Sequence, residues 1–127
     1  MFYKKLYLYT YKIIQEDLKL VFGKTWNRDI YVYDALKSPV DLTGATVYLT
    51  VKTNLSDTDT NAVISKEFTV FDDATAGNFC CEITAEEAQL TGNYYFDLVV
   101  KLATEEIYTI YSGTMNFSNT VTKRSEA

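Results

Sequence analysis

Apolar residues along this chain recur at every second position, the spacing of half-buried strands rather than helices. Leu18, Leu20 and Phe22 alternate with charged or polar neighbours and run to Gly23. After Lys24 and Thr25, the residues Trp26, Ile30 and Val32 share one parity while Tyr31 and Tyr33 take the other. Arg28 falls on the inward parity, where it either snorkels at a sheet edge or pairs with a carboxylate. "DALKSPVDLTG" reads as a loop around Pro39. Beyond it Ala45, Val47, Leu49 and Val51 face one way, with Thr46, Tyr48, Thr50 and Lys52 facing the other. "TNLSDTDTN" reads as a polar hairpin loop, and Ile64, Phe68 and Val70 as the next inward row. The turn "DDATAGN" follows, then a core row of Phe79, Cys81 and Ile83 that leaves Cys80 outside. "TAEEAQL" reads as one helical turn, with Thr84 as N-cap and Glu87 at the capping-box spacing. Two long strands close the chain: Tyr94, Phe96, Leu98, Val100 and Leu102, then Ile107 to Phe117. Gly113 interrupts the last alternation and suggests a bulge there. Seven or eight strands at this spacing predict an all-β, antiparallel β-sandwich with one short helical turn.

One motif occurs twice. "LTGATVYLTV" starts at Leu42, and "LTGNYYFDLV" starts 48 residues later at Leu90. The inward row begins one position after Gly44 in the first copy and two positions after Gly92 in the second. Residues at equal offsets therefore face opposite sides of their sheets, which argues against a duplication. In the second copy Leu90, Gly92 and Tyr94 fall as a structural corner. A short turn crosses between sheets, and the Tyr hydroxyl bonds back to backbone a few residues upstream.

Composition narrows the chemistry. There is no His among the 127 residues, which removes the commonest general base and metal ligand. The net charge of −5 opposes a phosphate backbone, and no basic stripe interleaves with aromatics, so nucleic acid is disfavoured as a partner. The first twelve residues, "MFYKKLYLYTYK", are too polar for a signal-peptide core and too short to cross a bilayer, so no membrane partner is expected. The adjacent Cys80 and Cys81 point to opposite faces of a strand and read as free thiols. Asp57 with Asp59, and Asp72 with Asp73, lack the ligand count and fixed Gly of a calcium loop and read as solvated turns. Glu86 and Glu87 have no reason to converge in a cleft. No enzyme activity, metal or cofactor is expected.

Tyrosine is the residue type left over. Tyr31, Tyr33, Tyr48 and Tyr95 take the outward parity, and outward aromatics serve interfaces because they offer area and a polar tip at low entropic cost. Ordinary cross-strand pairing on a solvated face accounts for them equally well. Tyr3, Tyr7, Tyr9 and Tyr11 precede the first predicted strand, and such an arm has reason to be aromatic only if it packs on its own sheet or on a neighbour's.

Taken in order, "VYDALKSPVDLTGATVYLTVK", "AVISKEFTVFDDATAGNFCCEIT", "EEAQLTGNYYFDLVVK" and "IYTIYSGTMNF" resemble the N-terminal domain of the phage baseplate upper protein family, over residues 18 to 117. The resemblance implies an immunoglobulin-like sandwich and a virion component that docks and scaffolds without catalysing. Three segments are expected: an arm or extra strand over 1–17, the sandwich over 18–117 and a tail over 118–127. Only "SNTVTKRSEA" follows Phe117, so a small docking or decoration protein of head or tail is expected rather than a fibre. It would be multi-copy or homo-oligomeric in the virion, assembled in the host cytoplasm. Its partners would be capsid, portal or tail and baseplate proteins, met through Tyr7, Tyr9, Tyr11, Tyr31, Tyr33, Tyr48 and Tyr95. A carbohydrate- or cell-surface-binding module is the alternative, with the exposed tyrosines and Trp26 as stacking platforms.

Overall fold

Eight strands form two facing sheets in the computed structural model, which describes residues 4–119. They are β1 (Lys5–Tyr9), β2 (Ile14–Val21), β3 (Trp26–Tyr33), β4 (Thr46–Lys52), β5 (Ile64–Phe68), β6 (Asn78–Ile83), β7 (Gly92–Lys101) and β8 (Ile107–Ser118). One sheet has the order β1-β3-β6 and the other β2-β8-β7-β4-β5. The run β8-β7-β4-β5 against β3-β6 is the strand arrangement of an immunoglobulin-type sandwich with one extra strand on its larger sheet. The sheets are mixed rather than wholly antiparallel, because β1 runs parallel to β3 and β2 parallel to β8. Both parallel strands come from the N-terminal segment and lie at sheet edges, where no hairpin fixes their direction.

The described part of segment 1–17 is largely strand: it holds β1 and the start of β2. Leu8 is fully buried and Leu6 packs against the core, so the sequence alternates inward as faithfully here as in the later strands. Residues 1–3 and 120–127, including Tyr3 and most of the expected tail, lie outside the described residues.

The inward rows meet in a single core. Val47, Val51 and Val100 are fully buried, as are Ile30, Val32, Phe79 and Ile83 from the facing sheet. Each such side chain contributes roughly 1.5–3 kcal/mol by leaving water. Val70 departs from its expected place and is 89% exposed. The strand ends at Phe68, and Phe71 instead packs edge-on to Phe79 at 6.1 Å.

The expected bulge also moves. Between Leu98 and Val99 the partner on β8 jumps from Tyr111 to Thr109, leaving Ile110 as the extra residue. Ile110 and Tyr111 are consequently both buried although adjacent. Gly113 is in regular register with Glu16 and Phe96. A Cβ there would lie 1.9 Å from the Glu16 carbonyl oxygen, so glycine lets the edge strand approach.

Candidate functional site

The two sheets separate the outward tyrosines onto opposite faces. Tyr7, Tyr9, Tyr31 and Tyr33 lie on the outer face of the three-stranded sheet, and the register sets Tyr7 beside Tyr31 and Tyr9 beside Tyr33. Tyr48 and Tyr95 lie on the outer face of the five-stranded sheet. Tyr11 sits in the turn between β1 and β2.

On the smaller sheet the rings form a stack. Tyr7 lies 5.5 Å from Tyr31 and 6.0 Å from Tyr33, with interplanar angles of 25° and 15°. The Lys5 ammonium sits 5.6 Å above Tyr31. Partial desolvation and the Asp29 carboxylate raise the pKa of the Tyr31 hydroxyl above its ordinary value. Asp29 also accepts a 2.6 Å hydrogen bond from the Asn78 side-chain amide, which fixes the base of the stack. Beside it, Tyr9 and Tyr11 meet at 5.4 Å, with Lys12 over both rings at 5.1 and 5.7 Å. Tyr7 and Tyr11 remain 47% and 49% exposed, so the stack is both ordered and available.

The opposite face is a shallow hollow of about 510 Å³, with Tyr48, Thr50, Lys52, Tyr95 and Lys101 among its lining residues. Lys101 pairs with Glu105 at 3.1 Å, and that carboxylate raises the ammonium's pKa. Leu55 and Ile107 at its rim are 74% and 63% exposed.

The corner residues are placed by the turn before β7. Leu90 packs against the core, and Gly92 opens the strand. The Tyr94 hydroxyl donates to the Thr91 carbonyl at 2.9 Å, and its ring meets Phe117 edge-on at 5.6 Å. In the preceding turn the Glu87 amide donates to the Thr84 hydroxyl oxygen at 3.2 Å. The Thr84 amide donates to the Glu87 carboxylate at 2.9 Å, completing a reciprocal cap. Lys66 adds an ion pair to Glu87 at 2.9 Å and donates to the Glu82 carbonyl, tying β5 to β6 across the two sheets.

The parity pattern placed Arg28 between the sheets, and it takes neither expected course. Its guanidinium stacks 4.7 Å above the Trp26 ring and donates to the Asn27 carbonyl at 2.7 Å. Trp26 is 8% exposed, which removes it as a sugar-stacking platform. A polar contact not anticipated from sequence lies at the same margin: the Tyr111 hydroxyl donates to the Glu16 carboxylate at 3.0 Å. Its only sequence signal is that Glu16 shares the parity of Leu18 and Leu20. Among the described residues, no three His, Cys, Asp or Glu side chains converge as metal ligands. Asp57 instead accepts from the Asn54 amide, the role of a turn residue. Cys80 and Cys81 are free. Among the described residues no helix is long and apolar enough to cross a membrane.

The BppU N-terminal domain matches residues 35–124, well over half of the chain. The chain belongs to the family of phage baseplate upper protein N-terminal domains. The family is one of virion structural domains and is generally non-enzymatic. Its match begins after β3, so β1 to β3 fall outside it. Among solved structures, the N-terminal domain of phage TP901-1 ORF48 is similar with a TM-score of 0.55 at 11% identity. That likeness covers 91% of this chain and 97% of the other and shows the shared fold. A chain from the complex of ICOS with ICOS-L and an anti-ICOS-L VNAR domain is similar at 13% identity with a TM-score of 0.45, covering 84% of this chain and 56% of the other. No curated protein matches.

Proposed function

We propose that this chain is a non-enzymatic docking domain of a bacteriophage virion, placed in the tail or baseplate and present in several copies. It binds other virion proteins through the outer face of the three-stranded sheet. The observation that carries this reading is the Tyr7–Tyr31–Tyr33 stack in a chain of a virion structural family. Three rings held parallel by one another lose little further freedom when a partner covers them, and their hydroxyls keep hydrogen-bonding capacity at the rim. Contacts of this kind are modest singly and gain strength from repetition around a symmetric particle. The family supports a tail or baseplate position over head decoration.

The test is assembly of particles supplied with a tagged chain carrying Tyr7→Ser and Tyr31→Ser, with folding checked by circular dichroism. Loss of incorporation by the folded double variant supports docking through this face. Undiminished incorporation sinks it. Labelling of the wild-type chain in intact particles under the electron microscope should decorate the distal tail, and label on the capsid would refute the placement. The carbohydrate alternative retains Tyr48 and Tyr95 but loses Trp26. Saturable titration with cell-wall sugars, abolished by Tyr48→Ala, would replace docking with that reading.

A further inference from the structure

The geometry points to a second copy of this chain pairing along the free edge of β2, antiparallel and centred on Leu18, to join two five-stranded sheets into one. β2 has eight residues, against five in β1, five in β5 and six in β6, and it is the longest strand at a sheet edge. The edges at β6 and β1 are partly closed. Lys66 occupies the Glu82 carbonyl on β6, Asp73 bonds the Asn78 backbone at its start, and a bridge from Tyr9 to Lys12 folds over the end of β1.

The ladder to β8 determines which backbone groups of β2 are available. Phe22 donates its amide to the Ser118 carbonyl at 2.8 Å, and the Glu16 carbonyl is directed at Gly113. Even-numbered residues therefore bond to β8, and Gln15, Asp17, Lys19 and Val21 turn their amides and carbonyls away from the sheet. Lys24 takes the Val21 carbonyl at 3.1 Å. No other described backbone group bonds this edge outside the ladder. The side chains of Gln15, Asp17, Lys19 and Val21 are all exposed.

Charge selects the register. An antiparallel second copy can form hydrogen-bonded pairs only between odd-numbered residues. Centring on Asp17 sets Asp17 against Asp17, and centring on Lys19 sets Lys19 against Lys19. Centring between them sets each Asp17 against Lys19 of the other copy, and Gln15 against Val21. Opposite charges directly across a strand pair attract, and like charges repel. The same register brings Leu18, which is 8% exposed, against its equivalent in a non-hydrogen-bonded pair, where side chains come closest. Charges at an edge ordinarily block pairing. Here their sign reverses about Leu18, so the strand complements its own reverse. The interface is isologous and closes as a dimer.

Sedimentation of the purified chain over a wide range of concentrations tests this. The wild type should dimerise reversibly. Lys19→Asp should weaken the dimer by at least about tenfold, because both attractive pairs become repulsive. The reversed pair, Asp17→Lys with Lys19→Asp, should restore it, and mixing the Asp17→Lys chain with the Lys19→Asp chain should give a mixed dimer, since the two lysines of one copy then face the two aspartates of the other. Lys19→Pro removes an outward amide without touching the β8 ladder and should also abolish pairing. Unchanged thermal unfolding of the variants shows that the sandwich is intact. A wild type that stays monomeric throughout, or a dimer indifferent to all these changes, overturns the proposal. Self-pairing at β2 and docking through the tyrosine face fail separately, because none of these substitutions touches Tyr7 or Tyr31.

Discussion

Gly113 is where a single atom decides most. Its missing Cβ makes room for the Glu16 carbonyl, which would otherwise lie 1.9 Å away with only the backbone of an edge strand to yield. Gly113→Ala should destabilise the fold by about 1–3 kcal/mol, the usual range for overpacking, read by thermal unfolding. Cys81 is a second such residue. Burial pushes its thiol up from 9.0 to about 12, with the Cys80 side chain also raising it and Lys66 opposing. A raised folded pKa contributes stability that is full below about pH 9 and is lost as pH climbs toward 12. Cys81→Val should therefore flatten the alkaline fall in unfolding free energy. Under native conditions near neutral pH, alkylation followed by mass spectrometry should find Cys80 modified slowly and Cys81 protected until the chain unfolds. The alternation alone set Cys81 toward the core and Cys80 on the other side, though Cys80 proves half-buried rather than fully outside. The need for glycine at 113 was not legible there, because sequence spacing identifies the interruption but not the strand that lies against it.

At the scale of elements, the reciprocal cap before β7 carries a pH dependence. Burial opposes ionisation of Glu87. The Thr84 amide and Lys66 ammonium outweigh it, holding the carboxyl below its ordinary 4.5. A depressed folded pKa contributes stability present above pH 4.5 and lost as pH falls further. Glu87→Gln should lose part of that acid dependence and cost about 0.5–2 kcal/mol at neutral pH, measured by urea unfolding at several pH values. β1 gives the complementary case. Leu8 is fully buried while Tyr7 on the same strand is 47% exposed. Leu8→Ala should cost about 2–5 kcal/mol. Tyr7→Ser should change stability little, which is why side-chain replacement probes the tyrosine face better than removal of the strand. The capping turn could be read from Thr84 and Glu87, since a cap is local. The parallel pairing of β1 could not, because parallel partners lie far apart in sequence and no turn chemistry announces them.

At the scale of the molecule, both sheets share one core, and the single Trp is part of it. Trp26 is 8% exposed with Arg28 stacked on its ring. Unfolding followed by Trp fluorescence and by far-ultraviolet circular dichroism should give coincident transitions, as one cooperative unit requires. Separate transitions would mean that the N-terminal strands form a distinct unit, a pertinent outcome because the family match starts after β3.

From the sequence alone come the inward rows apart from Val70, the two opposite phases of the L-T-G turns and the lack of His. These follow from period-two alternation and composition, which need no knowledge of distant neighbours. Only the tertiary structure decided that the outward tyrosines divide between two opposite faces, that Trp26 is buried, that the bulge falls at Ile110 and that β2 lies at an edge. Parity tells which side of its own strand a residue takes. It does not tell which sheet the strand joins or what stands beside it, and those are settled by pairings between residues as far apart as Glu16 and Gly113.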